Sequence, residues 1–187
     1  GQRVAELFAG GGYTTELLAR AVGPSGLVLA QNDTFILDRF ARGPLTQRLE
    51  RLAMPQIVAV ELPFDAPLPP DATSLDAVLF VLSYHDTAWM QVDRAAMNRA
   101  VFAALRPGGV YGIVDHTRRH MDPGSSETWR RVDPVLVIKE VEAAGFVFED
   151  FSDLHFRPDD ALQFDSQRPS LAGYSDRFTL RFRKPAK

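Results

Sequence analysis

Short apolar runs alternate with helix-spaced amphipathic runs along most of this chain. Val4 to Phe8 has the length and composition of a strand, and Thr14 to Val22 reads as a helix with Leu17, Leu18 and Ala21 on one face. Gly23, Pro24, Ser25 and Gly26 break it before a second strand, Leu27 to Ala30. A further helical region spans Phe35 to Ala53, interrupted at Gly43 and Pro44. Gln56 to Val60 forms a third strand, followed by a proline-rich loop from Pro63 to Pro70. Asp76 to Leu82 is apolar on both sides, as a central strand covered on two faces should be.

The second half continues the alternation. Trp89 to Leu105 repeats Val92, Ala96, Ala100 and Ala103 at helical spacing, Arg106 to Gly109 (RPGG) stops it, and Val110 to Val114 is the fifth strand. The next helix opens on Asp133 as N-cap with Pro134 in the first turn, gathers Ile138, Val141 and Ala144, and ends at Gly145. Phe146 to Phe151 and the alternating Arg177 to Lys184 are the last two strands. Five strand–helix alternations predict an α/β fold with a mostly parallel sheet, and the lack of a helical pattern between the last two strands predicts that strand 7 runs antiparallel.

Composition bounds the class. The chain has 187 residues, 45% of them hydrophobic, which suits one domain spanning 1–187, and its 13 prolines and 13 glycines are spread without a linker or repeat. A net charge of -3 argues against nucleic acid as the main partner, because non-specific binding rests on clustered Lys and Arg. The absence of cysteine excludes disulfides, thiolate metal sites and cysteine nucleophiles. No stretch approaches the ~20 apolar residues of a membrane span and no signal peptide is seen, so no membrane partner and a cytoplasmic location are expected.

Gly10, Gly11 and Gly12 separate the first strand from the first helix, the turn where sheets of this kind bind ligands beyond the carboxyl ends of their strands. Glycines there let the chain turn sharply and leave no Cβ in the way of a nucleotide-sized ligand. A dinucleotide site would want G-x-G-x-x-G, which Thr15 fits poorly. The alternative pattern is an acidic residue at the strand end, followed by glycines at two-residue spacing, for a ligand carrying an amino group and a sulfonium. Glu6 supplies that carboxylate.

On Glu6, Gly10 and Gly12 the chain resembles the class I S-adenosylmethionine-dependent methyltransferases, with Phe8 standing where the first motif glycine is usual. Six stretches, GGGYTTELLARAVGPSG, LAQND, LSYHDTAW, LRPGGVYGIVDH, EVEAAGF and DRFTLRFRKP, together are similar to a group of predicted bacterial methyltransferases of uncharacterised substrate. The resemblance covers essentially the whole chain. It implies a Rossmann-like class I methyltransferase fold with strand order 3-2-1-4-5-7-6, strand 7 antiparallel and helices on both faces. It also implies an N-terminal helical segment over the cofactor, which this chain, opening directly on a strand, is expected to lack. S-adenosyl-L-methionine is the cofactor implied, with Asn32 or the adjacent Asp33 toward the ribose and Asp65 toward the adenine amine. Asp65 also reads as an ordinary exposed loop residue.

Methyl transfer needs alignment and exclusion of water, and a base where the acceptor must lose a proton. Tyr84, His85 and Asp86 follow the fourth strand, and Asp115 and His116 the fifth, and of these Tyr84, His85, Asp86 and His116 are the candidate catalytic residues. His85 or His116 is a candidate base, with Asp86 or Asp115 orienting the imidazole. Asp86 or Thr87 is equally placed to cap the helix near Trp89. A magnesium site from Asp86, Asp115, His116 and His120 is disfavoured because magnesium prefers oxygen, and no metal is expected. Thr117 to His120 and Trp129 to Arg131 suit either an anionic substrate or a solvated face. These features predict methyl transfer to a small molecule. A non-catalytic binding module of the same fold is the alternative, and an NAD-type dehydrogenase is disfavoured by Thr15 and the antiparallel last strand.

Overall fold

Seven strands form one sheet: β1 (Arg3–Leu7), β2 (Leu27–Asn32), β3 (Ile57–Glu61), β4 (Leu75–Val81), β5 (Leu105–His116), β6 (Val147–Ser152) and β7 (Arg177–Arg183). Their order is β3-β2-β1-β4-β5-β7-β6, with β1 to β5 parallel and β7 antiparallel to both neighbours, as expected. The computed structural model describes residues 1–126 and 128–186. The helices are α1 (Tyr13–Val22), α2 (Thr34–Ile36), α3 (Arg42–Leu52), α4 (Asp86–Trp89), α5 (Arg94–Ala104) and α6 (Pro134–Ala143).

Alternation along β1 sorts the two faces. Val4 packs with Ala19 and Val22 of α1, while Ala5 and Leu7 join a larger cluster with Met97 and Val101 of α5 and Val137 and Val141 of α6. Helices therefore cover both faces. In α1 the buried positions are Thr15, Ala19 and Val22, and Leu17 and Ala21 are exposed, which corrects the expected face. Thr15 displaces the leucines because its hydroxyl has a buried partner on β1.

Two helices depart from their expected course for local reasons. Gly43 and Pro44 do not break the second helical region. Pro44 has no N–H for Phe40, and a π-helical turn at Leu37–Ala41 carries the chain into α3 instead, with Arg42 N–H reaching back to Leu37 O. The helix expected from Trp89 to Leu105 is divided between α4 and α5. Asp93 caps the second piece by accepting from Ala96 N–H at 2.9 Å, and the buried face becomes Met97, Asn98, Val101 and Ala104. RPGG lies inside β5 as an irregularity, where pairing shifts from Leu75–Leu105 to Ala77–Val110.

One buried ion pair holds the long connections beyond the sheet. The Arg131 guanidinium, fully buried, donates to Asp160 (2.9 and 3.2 Å), to Phe164 O (2.7 Å) and to Thr117 O (2.9 Å). It ties the loop after β5 to the segment between β6 and β7. Removing one partner strands a buried charge, so Arg131→Met should cost about 3–5 kcal/mol. Adding Asp160→Leu should restore much of the loss in urea unfolding; equal instability of single and double variants would refute that role.

Candidate active site

Between β1 and α1 the chain turns through three glycines with two different jobs. Gly10 has φ +53°, and a Cβ there would meet nothing within 4 Å, so the turn is open on that side. At Gly12, φ +80°, a Cβ would lie 2.9 Å from Leu45 Cδ1, and at Gly11 3.2 Å from Pro44 Cβ. The close neighbour of these two is therefore α3 itself. Phe8, in the place of the usual glycine, adopts φ +56°. Its ring stacks on Phe64 at 5.3 Å, and its N–H donates to Gln31 Oε1 at 3.1 Å.

The carboxylates expected here divide likewise. Glu6 is buried and accepts from the Thr15 hydroxyl; burial pushes its carboxyl up to about 7, against the pull of Thr15 and Thr14. It braces the start of α1 instead of offering a free carboxylate. Asn32 is fully buried, its Oδ1 accepting from Gly10 N–H at 2.8 Å and its Nδ2 donating to Gly10 O at 3.2 Å. Both ends of its amide brace the turn. Asp33 is part-exposed and caps α2 through Phe35 N–H at 2.7 Å, and Asp65 is exposed and accepts from Asp93 N–H at 3.3 Å.

At the ends of β4 and β5 the expected group separates into three roles. Tyr84 is fully buried, donates to Glu140 Oε2 at 2.8 Å and accepts from Asn98 Nδ2 at 3.1 Å. Burial, with the Glu140 charge, raises its hydroxyl far above the phenolic range. It is a core residue between α5 and α6, which corrects its assignment to catalysis. His85 is 4% exposed and held by Asp115, with Nδ1 at 2.7 Å from Oδ1 and its N–H donating to Oδ2 at 2.8 Å; its Nε2 lies 3.3 Å from Asp86 Oδ1. Burial lowers its pKa, but Asp115 and then Asp86 outweigh that and lift it to about 10. His85 is thus an imidazolium near neutrality, not a base.

His116 is the converse. Burial, and after it the cations His85, Arg177 and Arg131, outweigh Asp115 and bring its pKa down to about 4. Its Nδ1 is 2.8 Å from Ser175 Oγ, and its ring lies 5.7 Å from that of His85. Ser175 comes from the segment before β7, and nothing in the local sequence signals its part in the site. Asp86 accepts from Trp89 Nε1 at 2.8 Å and Thr87 donates to Tyr84 O at 2.6 Å, so neither caps α5. His120 sits apart, its Nδ1 2.9 Å from Asp133, and among the described residues no three His, Asp or Glu side chains gather to hold a metal.

Aromatic rings arch over this edge of the sheet. Phe35, after β2, meets Trp89, after β4, at 6.1 Å, and Trp89 meets Trp129, after β5, at 6.2 Å. All three rings are exposed, and they link the segments that follow β2, β4 and β5. The arginines expected to meet an anion or solvent do neither at Arg131, which is spent on Asp160, while Arg130 pairs with Asp165 at 3.0 Å and stacks on Trp129.

No known family profile and no curated protein matches the chain by sequence. Solved structures do match by shape. A SAM-dependent methyltransferase from Aquifex aeolicus superposes with TM-score 0.68 at 13% identity, over 98% of this chain and 82% of that one. The 4+2 cyclase SpnF gives 0.69 at 17%, over 100% and 76%. The 16S rRNA methyltransferase KamB gives 0.65 at 15%, over 99% and 88%. The chain has the class I methyltransferase fold, and no described helix is long and apolar enough to cross a membrane.

The charge on His85 has a measurable consequence. An unfolded histidine loses its proton near 6.5, whereas folded His85 keeps it to about 10. The stability it contributes is complete below pH 6.5 and is lost as pH rises toward 10, with a slope approaching ~1.4 kcal/mol per pH unit. Denaturant unfolding from pH 7 to 10 should show this decline, and His85→Gln should flatten it. A wild-type curve already flat over that range would contradict the charged pair.

Proposed function

We propose that the chain is an S-adenosylmethionine-dependent methyltransferase acting on a small molecule. The observation that carries this is the pairing of an open glycine, Gly10, with a neutral imidazole, His116, at one edge of the sheet and two strands apart, or ~10 Å. The residues present leave room for a nucleoside on the side of Gly10 where a Cβ would meet nothing within 4 Å, with Asn32 bonded to the other side of the turn. Asp33 would accept from a ribose hydroxyl, Asp65 would face the adenine amine, and Glu6, Asn32, Gly11 and Gly12 would hold the turn's shape.

Bound S-adenosylmethionine would supply a methyl group already activated by its sulfonium. The protein's own work is orientation, dryness and proton removal. In the tautomer whose Nδ1–H donates to Ser175 Oγ, His116 Nε2 would carry the lone pair for the acceptor's proton. His85, as a cation, fixes Asp115 and the strand ends. Phe35, Trp89 and Trp129 shield the edge from water. A small acceptor is favoured over RNA because four arginines around this edge already hold carboxylates, Arg131 with Asp160, Arg130 with Asp165, Arg94 with Glu140, and Arg48 with Glu16, which leaves no clustered set of them for phosphates.

Calorimetry with S-adenosylmethionine, and radiolabelled methyl uptake across a metabolite panel, test the reading. Gly10→Val should weaken cofactor binding at least ~10-fold, or about 1.4 kcal/mol. His116→Gln should lower turnover by ~100-fold or more, with cofactor affinity within a factor of about two. Full turnover of His116→Gln would remove it as the base. Asn32's closure on Gly10 favours a second reading, a module of this fold without transferase activity. Cofactor binding without uptake by any acceptor would select it.

A further inference from the structure

Behind His116 lies a cavity of about 710 Å³ between α6, β6 and β7, within the size range of small-molecule sites. Pro134, Ile138, Phe148, Phe151, Phe156 and Phe178 make most of its wall apolar. Thr117, Ser152, Asp153, Asp176, Arg177 and Thr179 break that surface, and of these Thr117 and Arg177 are neighbours: β7 places Arg177 opposite His116, and Thr117 N–H donates to Asp176 O at 3.0 Å. Thr117 Oγ1 and Arg177 Nε are both buried without a hydrogen-bond partner. Among the described residues the Arg177 guanidinium forms no ion pair.

An unpaired, partly desolvated guanidinium is costly unless something answers it. The nearby carboxylates do not. Asp115 is taken up by His85 and the His116 N–H, Asp160 by Arg131, and Asp176 by the Arg157 N–H at 2.7 Å. Asp153 lines the cavity but is exposed. Burial and Arg157 together hold Arg177 below its ordinary pKa, which marks a cation in want of an anion.

We propose that this cavity binds an amphipathic organic anion, its ring or alkyl body among the phenylalanines and its carboxylate or like head on Arg177 and Thr117. The apolar wall accounts for the body, and the two orphaned donors account for the head, since a planar guanidinium suits a carboxylate or sulfonate. Arg177 pairs with His116 across the strands, so the cavity adjoins the imidazole without including it in its wall. As the identity of the methyl acceptor this rests on the function proposed above; as a binding site it does not.

The test uses two fluorescent probes with the same rings, the anion 8-anilinonaphthalene-1-sulfonate and neutral N-phenyl-1-naphthylamine, without cofactor. Wild type should bind the sulfonate at least ~10-fold more tightly, about 1.4 kcal/mol. Arg177→Met should erase that preference while leaving the neutral probe bound, Arg177→Lys should keep part of it, and Ile138→Trp should expel both probes. Arg177→Met should not unfold earlier than wild type, since a lone desolvated cation is removed. Equal affinities in wild type, a preference that survives Arg177→Met, or binding that survives Ile138→Trp but disappears in Trp129→Ala would overturn the proposal. Probe binding with no methyl uptake would count against the transferase reading alone.

Discussion

The Asp115 carboxylate governs the charge of His85 at the ends of β4 and β5. It lies at the end of β5 with no exposure and accepts three N–H groups, from His85 Nδ1, the His85 backbone and the His116 backbone. A buried carboxylate so placed raises the pKa of His85 against its burial, and separating the two would leave either one buried alone. Burial, and after it the charges of His85, Arg177 and Arg131, lower the pKa of the neighbouring His116. Two histidines that look interchangeable in sequence are thereby set to opposite states: Asp115 outweighs burial at His85, and burial outweighs Asp115 at His116.

The same edge carries backbone strain. Phe8 and Leu82 follow the central strands β1 and β4 directly, and both hold φ near +57°, at 56° and 58°. Side chains with a Cβ enter that region at a cost of roughly 1–2 kcal/mol. At Phe8 the stack on Phe64 offsets it, continuing to Phe80 at 6.4 Å and Tyr84 at 5.5 Å. At Leu82 the N–H donates to Val114 O at 2.7 Å and keeps β4 joined to β5 as the chain leaves the sheet.

Topology was legible because it follows from the order of apolar runs: the parallel strands, the antiparallel β7 and the Asp133 cap of α6 stand where the pattern puts them. Helix faces were less so. Trp89 to Leu105 keeps its periodicity across the break at 90–93, so only the Asp93 cap, a tertiary choice, fixes which face is buried. Thr15 on the buried face of α1 required knowing that Glu6 lies opposite. In the site, side-chain type located Asp115, His85 and His116 but not their protonation, which comes from burial and mutual distance. Tyr84 belongs to the core because Asn98 and Glu140 meet it there, from 14 and 56 residues away. Arg177 had no motif, since Arg-Phe-Thr-Leu reads only as strand alternation until pairing sets it opposite His116.

Asn32 bears most directly on whether the fold binds a cofactor. Its two bonds to Gly10 close the place where a ribose contact is expected. Such neutral hydrogen bonds are each worth about 0.5–1.5 kcal/mol net, because water or a ligand can replace either partner. A ribose hydroxyl accepting from Nδ2 would replace the longer bond, at 3.2 Å, and leave the Gly10 N–H on Oδ1 at 2.8 Å undisturbed. The turn would keep its shape, Gly10 would remain open, and Asp33 would still lie beside the sugar with a carboxylate oxygen to spare after capping α2. An aspartate at position 32 would have no amide to donate to Gly10 O, so the asparagine fits as a brace that reinforces a turn already carrying Phe8 at positive φ. On these energies the closure is a resting contact with a small cost of exchange, and the open face of Gly10 is the more durable feature.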